Sequence, residues 1–403
     1  MKRVLFVDED TRTVATLRHA FREQSSPWHT VFVHSGEQAL TELGHNHFDA
    51  IVSEMRMPGM DGPQLLAQVR ERHPGVVRLC LSEAETMDDE VFLRAVPVTH
   101  QFLSKPCNPE AVREIVERAC SLASILQNPA TRLLVSRLDS LPATPRTYQE
   151  LSAAIAKPTA HTADISEIVS NDRTLSLKTL QIVNSALFHH SAAITSIPAA
   201  INYVGLERLK SLALSACVFN AVNTSPATSA LLSDLQARSI RKARCARALL
   251  DGQHGHDEAF TAALLLDVGQ AVLALGAPQK YADMIARARA RQRPWDQVEP
   301  EFFGAAHPEV GACLLALWGL PLELIEAVAH HHRPSAVEHV HTRVLTAVHV
   351  ADAIVDTTAE QPMRLSDRVD PDFMARAEVR RCLREWHIDI DADARSLQRT
   401  HGG

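Results

Sequence analysis

Several familiar pieces of catalytic equipment are missing from this 403-residue chain. It has no Walker loop, no Gly-rich dinucleotide turn and no nucleophile elbow. Its seven cysteines (80, 107, 120, 217, 245, 313, 382) stand singly, with no CxxC pair. An odd, unpaired set fits a reducing cytoplasm, with most thiols serving as small core residues. No apolar run reads as long enough to span a membrane, which takes about 18 residues. The N-terminus, MKRVLFVDED, turns acidic at its eighth residue, so it does not read as a secretion signal. There is no internal repeat and no long low-complexity segment. Lys and Arg number 41 against 48 Asp and Glu, a net charge of −7. That balance excludes a chain-wide nucleic-acid role, though not a local basic patch.

What is present divides in two. Hydrophobic residues make up 46% of the chain, enough for more than one core. Strand-like runs fall at 3–8, 30–34, 48–53, 76–81 and 100–103. Helical stretches alternate with them at 11–24, 36–43, 62–72, 86–95 and 109–126. Such alternation predicts a parallel sheet with helices on both faces, and ligands at the carboxyl ends of its strands. Beyond about residue 122 the strand pattern stops, and from 140 onward nearly everything reads as helix. Helices are expected at 258–275, 308–317, 321–332 and 374–386, with Gly205 as a stop. The expected units are 1–121, a helical linker at 122–138, a helical domain at 139–350, and a charged appendage at 351–403.

The strand ends of the first unit carry chemistry. Asp8 and Glu9 follow strand 1, Glu54 ends strand 3, Ser82 follows strand 4 and Lys105 follows strand 5. Carboxylates at one edge call for a hard cation such as Mg²⁺, with Asp8 and Glu9 as its ligands. Lysine and serine suit an anion's oxygens. The stretches LFVDED, MRMPGMDG, LCLS and FLSKP, in this order, resemble a response-regulator receiver domain, an α/β doubly wound (flavodoxin-like) fold. The resemblance implies phosphorylation by a sensor kinase of an aspartate at the end of strand 3, and makes Phe102 the switch aromatic. Here that position is Glu54, and Asp8-Glu9 stands where two aspartates are usual. One extra methylene moves the carboxylate by roughly 1 Å, and a misplacement of that size costs a positioned reaction ~100-fold. Glu54 is thus a poor phosphoacceptor whose oxygens reach toward Lys105 and Ser82. The expectation is a receiver biased to an active-like state independently of phosphorylation. Slow phosphorylation of Glu54, and a degenerate pocket without bias, stay open as alternatives.

The second unit offers Asp267 in LLLDVGQAVL, His307, the run His330-His331-His332, and His349 and Asp352 in VLTAVHVAD. Histidine and aspartate on separate apolar helices suggest a metal-dependent hydrolase. DISEIVSNDRTLSLKTLQIVNSALF, SIPAAINYVGLERLKSLALSACVF and HPEVGACLLALWGLPLELIEAVAHHHRP resemble an HDOD domain, a divergent relative of the HD phosphohydrolases. The resemblance implies that Arg238-Ser239 and Leu266 fall where HD enzymes keep histidines. Asp267 and Asp352 remain, with His307, His331 and His332 like the extra histidines of multi-metal relatives. A non-catalytic, protein-binding output is therefore expected, with hydrolase or residual-metal readings kept as alternatives. Adjacent His331 and His332 are not expected to share a face. The basic runs at 236–250 and 287–293 read as solvated helix faces, since no aromatics interleave. AINYVGLERLKSLAL has a helix-turn-helix look, but its second helix is too apolar for a DNA groove. The implied partners are signalling proteins: sensor kinases, cyclic-dinucleotide enzymes, downstream regulators, or a second copy in a homodimer.

Overall fold

Five short runs rich in Val, Ile, Leu and Phe form the strands β1 (Arg3–Val7), β2 (His29–Val33), β3 (Ala50–Glu54), β4 (Val77–Ser82) and β5 (Gln101–Ser104). The computed structural model describes residues 2–23, 28–82, 89–105, 110, 112–117, 128–137, 150–151, 153–154, 162–184, 193–205, 209, 225–336, 342–356 and 365–389. All four strand pairings are parallel, in the order β2-β1-β3-β4-β5. β1, β3 and β4 are buried on both faces, which is why they read as continuous apolar runs rather than alternating ones. The order reverses beside β1, so the ends of β1 and β3 open onto one crevice. Of the helix expected at 109–126, residues 112–117 are helical; most of the remainder lies outside the described residues.

Every element described after β5 is helical. Helix Pro226–Leu249 packs against helices His256–Leu265 and Thr342–Val355. The helix expected at 258–275 is two helices, His256–Leu265 and Val268–Gly276, with Asp267 capping the second. By length and composition His256–Gly276 does qualify as an apolar run that could cross a membrane, contrary to the sequence reading; 89% of its most apolar window is buried in the helical body. The boundary expected at residue 350 falls inside helix Thr342–Val355. Beyond it, Phe373, Trp386 and Ile388 are buried, and Asp370 accepts from Ser335 N (2.9 Å) while its own N–H donates to His349 Nε2 (2.9 Å). Residues 365–389 thus pack onto the helical body instead of trailing from it. The last described helix is Ala377–Glu385, preceded by the short helix Pro371–Met374, with Pro371 starting one and Arg376 at the N-terminal boundary of the other. The linker contains a packed helix, Pro129–Arg137, whose Thr131 hydroxyl donates to Phe303 O (2.5 Å).

β5 is an edge strand, and the helical body covers it. Gln101 Nε2 donates to Leu317 O (3.0 Å) and Ala316 O (3.3 Å) at the end of helix His307–Leu317. Gln181 Nε2 donates to His100 O (2.9 Å). Lys178 Nζ donates to Gln181 Oε1 (2.9 Å) and lies 4.4 Å above the Trp318 ring. Fully buried Arg78 bonds Val98 O through Nε (2.8 Å) and Ser136 O through a terminal nitrogen (3.4 Å). This junction carries a pH signature. Burial, with Arg78 and Lys178 alongside, pushes the His100 imidazole well below its usual range. The folded chain therefore holds His100 neutral, whereas the unfolded chain protonates it near pH 6.5. The stability that follows is full above about pH 6.5 and is lost as pH falls toward the depressed folded value. Thermal unfolding midpoints taken from about pH 8 to 5 should fall less steeply for His100→Asn than for the unaltered chain. Equal slopes would show that His100 does not link pH to stability.

Candidate functional site

Among the described residues, one buried ionic centre stands in each half. The first forms where β1 and β3 end. Glu54 is the last residue of β3, and Met55 N–H bonds Leu81 O (2.8 Å) to hold the strand end down. Gly62 begins the next helix against the same point: a Cβ there would stand 2.3 Å from Glu54 O, so no other residue fits. Glu54 Oε1 accepts from Met55 N (2.8 Å) and Arg56 N (3.4 Å), and Glu54 Oε2 pairs with Lys105 Nζ. The same ammonium lies 2.8 Å from Asp8 Oδ2, while Asp8 Oδ1 accepts from Asp10 N (2.9 Å). Burial raises the Glu54 carboxyl against the pull of Lys105. Burial likewise opposes the charge on Lys105, but its bonds to Asp8 and Glu54 outweigh it and raise its pKa.

Glu54 thus reaches Lys105, as its length implied. Ser82 Oγ is placed against Met55 Sδ at 3.5 Å. Phe102 is buried against Phe92, with ring centroids 5.1 Å apart. Glu9 is exposed. A Mg²⁺ held by Asp8 and Glu9 would compete with Lys105 for Asp8 Oδ2, so these donors do not offer two uncommitted carboxylates.

The second centre lies among the helices and contains a residue that sequence reasoning passed over. Lys242 is fully buried, and its Nζ lies 2.6 Å from Asp267 Oδ2, 2.7 Å from Asp352 Oδ1 and 2.9 Å from Asp356 Oδ2. Three carboxylates therefore surround one ammonium where a divalent cation would otherwise balance them. Burial works against both charges, but the carboxylates outweigh it and raise Lys242, and Lys242 outweighs it at Asp267 and Asp352, which are lowered. Asp356 goes the other way: burial, helped by Asp352 and Asp267, prevails and raises it. Lys242, not Arg238 or Ser239, occupies the position facing Asp267. Arg238 instead reaches Gln270 Oε1 (3.2 Å) and approaches Asp356 Oδ1 (3.8 Å). Leu266 is fully buried and supplies no ligand. The donors around Asp267 and Asp352 consequently do not fit the metal of an HD hydrolase.

The histidines depart further from expectation. Helix Leu322–His330 ends one residue before His331, and the chain turns there. The turn lets adjacent His331 and His332 face the same point, with ring centroids 4.0 Å apart. Both meet His307: its Nε2 is 3.3 Å from His331 Nε2 and 3.2 Å from His332 Nε2. His307 Nδ1 lies 2.7 Å from Oε2 of Glu299, a fully buried acid that the sequence did not flag. His349 stands apart, with Nδ1 on His331 O (2.6 Å). The basic run at 236–250 is not one solvated face, since Ser239 and Lys242 point inward while Arg241, Arg244 and Arg247 are exposed.

A doubly wound sheet with an acid–lysine pocket, joined to an all-helical body, defines a receiver-type signalling protein. Residues 4–117 match the response regulator receiver domain and residues 141–334 match the HDOD domain, so the chain is a fusion of the two. A protein of Treponema pallidum is 24% identical over 303 residues, covering 72% of this chain and 56% of its own length. The hydrogenase transcriptional regulatory protein HoxA of Cupriavidus necator is 30% identical over 152 residues, covering 38% of this chain and 31% of its own length. This chain thus spans about half and about a third of those relatives. Among solved structures, a virulence factor from Campylobacter jejuni matches with a TM-score of 0.54 and 19% identity, over 68% of this chain and 94% of that one. That likeness concerns the fold.

Proposed function

We propose that this chain is a signal-transduction response regulator whose receiver is held by an internal ion pair instead of a phosphorylation cycle. Its helical body works by binding signalling proteins, not by hydrolysis. The observation that carries this reading is Lys105 Nζ lying on both Asp8 and Glu54. Glutamate's extra length fills the space an incoming phosphoryl group would use, and its single charge gives a partial copy of a phosphorylated side chain. Lys242 supports the second half of the reading, since an ammonium already neutralises Asp267 and Asp352.

β5 supplies a route between the halves. Lys105 follows its last residue, and Gln101 at its start is anchored to the end of helix His307–Leu317. A shift of Lys105 therefore moves a strand fixed to the helix that begins with His307. Partners are signalling proteins of the cytoplasm, a sensor kinase or a cyclic-dinucleotide enzyme among the classes to capture.

Incubation with acetyl phosphate and Mg²⁺ tests the receiver half. The unaltered chain should gain no labile phosphate, while Glu54→Asp, with the shorter arm, should gain it. Robust labelling of the unaltered chain that Glu54→Gln abolishes would overturn the reading. Pull-down with Glu54→Ala as bait should recover a changed set of partners. Hydrolysis of a phosphodiester by the unaltered chain with Mn²⁺ would sink the binding role.

A further inference from the structure

We propose that Arg287, Arg291 and Arg293 form a binding site for a phosphate monoester, with Glu301 as its internal stand-in. This goes beyond the function above and does not depend on it.

The site is made where two helices join. Helix Pro278–Arg291 ends at Gln292, which holds a left-handed backbone (φ 52°), and helix Trp295–Phe303 follows directly. Few residues other than glycine adopt that conformation. It turns the chain so that Arg291 and Arg293, on either side of it, both face Glu301 in the next helix. Arg291 Nη1 lies 2.9 Å from Glu301 Oε2 and 3.2 Å from Oε1, and Arg293 Nη1 lies 2.8 Å from Oε1. Arg287, one helical turn earlier, brings its Nη1 to 3.8 Å from Oε2. Two of the three are steadied from the side. Arg293 Nη2 donates to Gln297 O (3.0 Å), and Arg287 Cζ lies 5.7 Å from the centre of the Phe302 ring. The negative end of a helix accounts for basic residues near position 291, but not for their convergence on one acid.

Charge selects the ligand. Three guanidiniums face one carboxylate, an excess of two positive charges, in a chain whose net charge is −7. The other acids of these two helices are engaged elsewhere. Asp283 accepts from Gln279 Nε2 (3.2 Å), Glu299 accepts from His307 N, and Asp296 lies toward His307, Glu299 and Arg333. A phosphate monoester carries about two negative charges at neutral pH and presents three strong acceptor oxygens. A carboxylate offers two oxygens and one charge, and Glu301 leaves Arg287 beyond hydrogen-bond distance. Phosphate can engage all three arginines, since guanidinium forks match its oxygens in pairs. The four side chains are from 34% exposed (Glu301) to 50% exposed (Arg287), so a ligand reaches them from solvent. Its arrival displaces Glu301 into water.

The test uses the full chain and radiolabelled inorganic phosphate in equilibrium dialysis at low salt. Uptake that depends on these arginines is expected, and it should weaken as NaCl rises. Arg291→Gln and Arg293→Gln are surface changes that should leave the circular dichroism unaltered. Each should weaken binding roughly 10-fold or more, the worth of a hydrogen bond to a charged group. Glu301→Gln removes the competing carboxylate and should tighten binding about 10-fold. A phosphoserine peptide and AMP then separate a protein source of the phosphate from a nucleotide. The carrier that binds tighter than inorganic phosphate, and loses that advantage in Arg291→Gln, names the source. Undiminished phosphate uptake by the Arg291→Gln/Arg293→Gln double variant overturns the proposal, and so does weaker binding by Glu301→Gln. Failure of both carriers to improve on inorganic phosphate leaves an adventitious ion only and overturns it too.

Discussion

Lys242→Met is expected to cost about 3–5 kcal/mol of folding stability, the usual penalty for removing one partner of a buried ion pair. Methionine fills nearly the same volume, so the loss is electrostatic. Asp267 and Asp352 would keep charges deep in the helical body with no ammonium on them. Equilibrium urea unfolding, followed through the chain's four tryptophans, reads the change. Whole-domain stabilities are about 5–15 kcal/mol, so about a fifth or more of the total is at stake. Combining Lys242→Met with Asp267→Asn should recover part of the loss, because the two groups are coupled. A loss within ~0.5 kcal/mol would place Lys242 among ordinary surface residues. The sign with pH also follows. Lys242 is raised in the folded state, so its stabilisation is complete below the ordinary lysine range near 10.4. It is lost only in stronger base.

Gly269→Ala is expected to be comparably damaging for a steric reason. A Cβ at residue 269 would stand 2.0 Å from His307 O and 2.8 Å from Gly311 N. Both neighbours are backbone, so no side chain can swing aside. Helices Val268–Gly276 and His307–Leu317 would have to separate. Overpacking of this kind costs about 1–3 kcal/mol and at times more. Gly75→Ala makes a fair control, since a Cβ there meets nothing within 4 Å. Urea midpoints for the two alanine variants should differ widely, and equal midpoints would refute the close-packing account.

The receiver half was legible because its signals are local. An apolar run ending in an acid encodes both a buried strand and the pocket residue at its tip, as with β1 and Asp8 or β3 and Glu54. The helical half resisted because its site comes from distant turns. Lys242 sits in a run of arginines that looked solvated. Yet Leu235, Ser239, Lys242, Ala243, Ala246 and Leu249 recur at helical spacing and are all buried. That stripe was the available signal, and it places the lysine on the inner face. Glu299 gave no such signal: it sits beside Pro300 in a short helix with acids on several sides. The break at Leu266–Asp267 was hidden by the apolar residues on both sides of it, and the convergence of His331 and His332 depended on a helix ending two residues earlier than the expected 332.

The cover over β5 has a consequence for anyone who divides this molecule. Separate production of residues 1–121 would strip Gln101 and Arg78 of the carbonyls they hold in the helical half. Water would replace those partners, but the bared margin would also offer a row of main-chain donors and acceptors to any sister fragment. Such fragments should therefore stick to one another, and results obtained with an excised receiver would describe a different object from the intact chain.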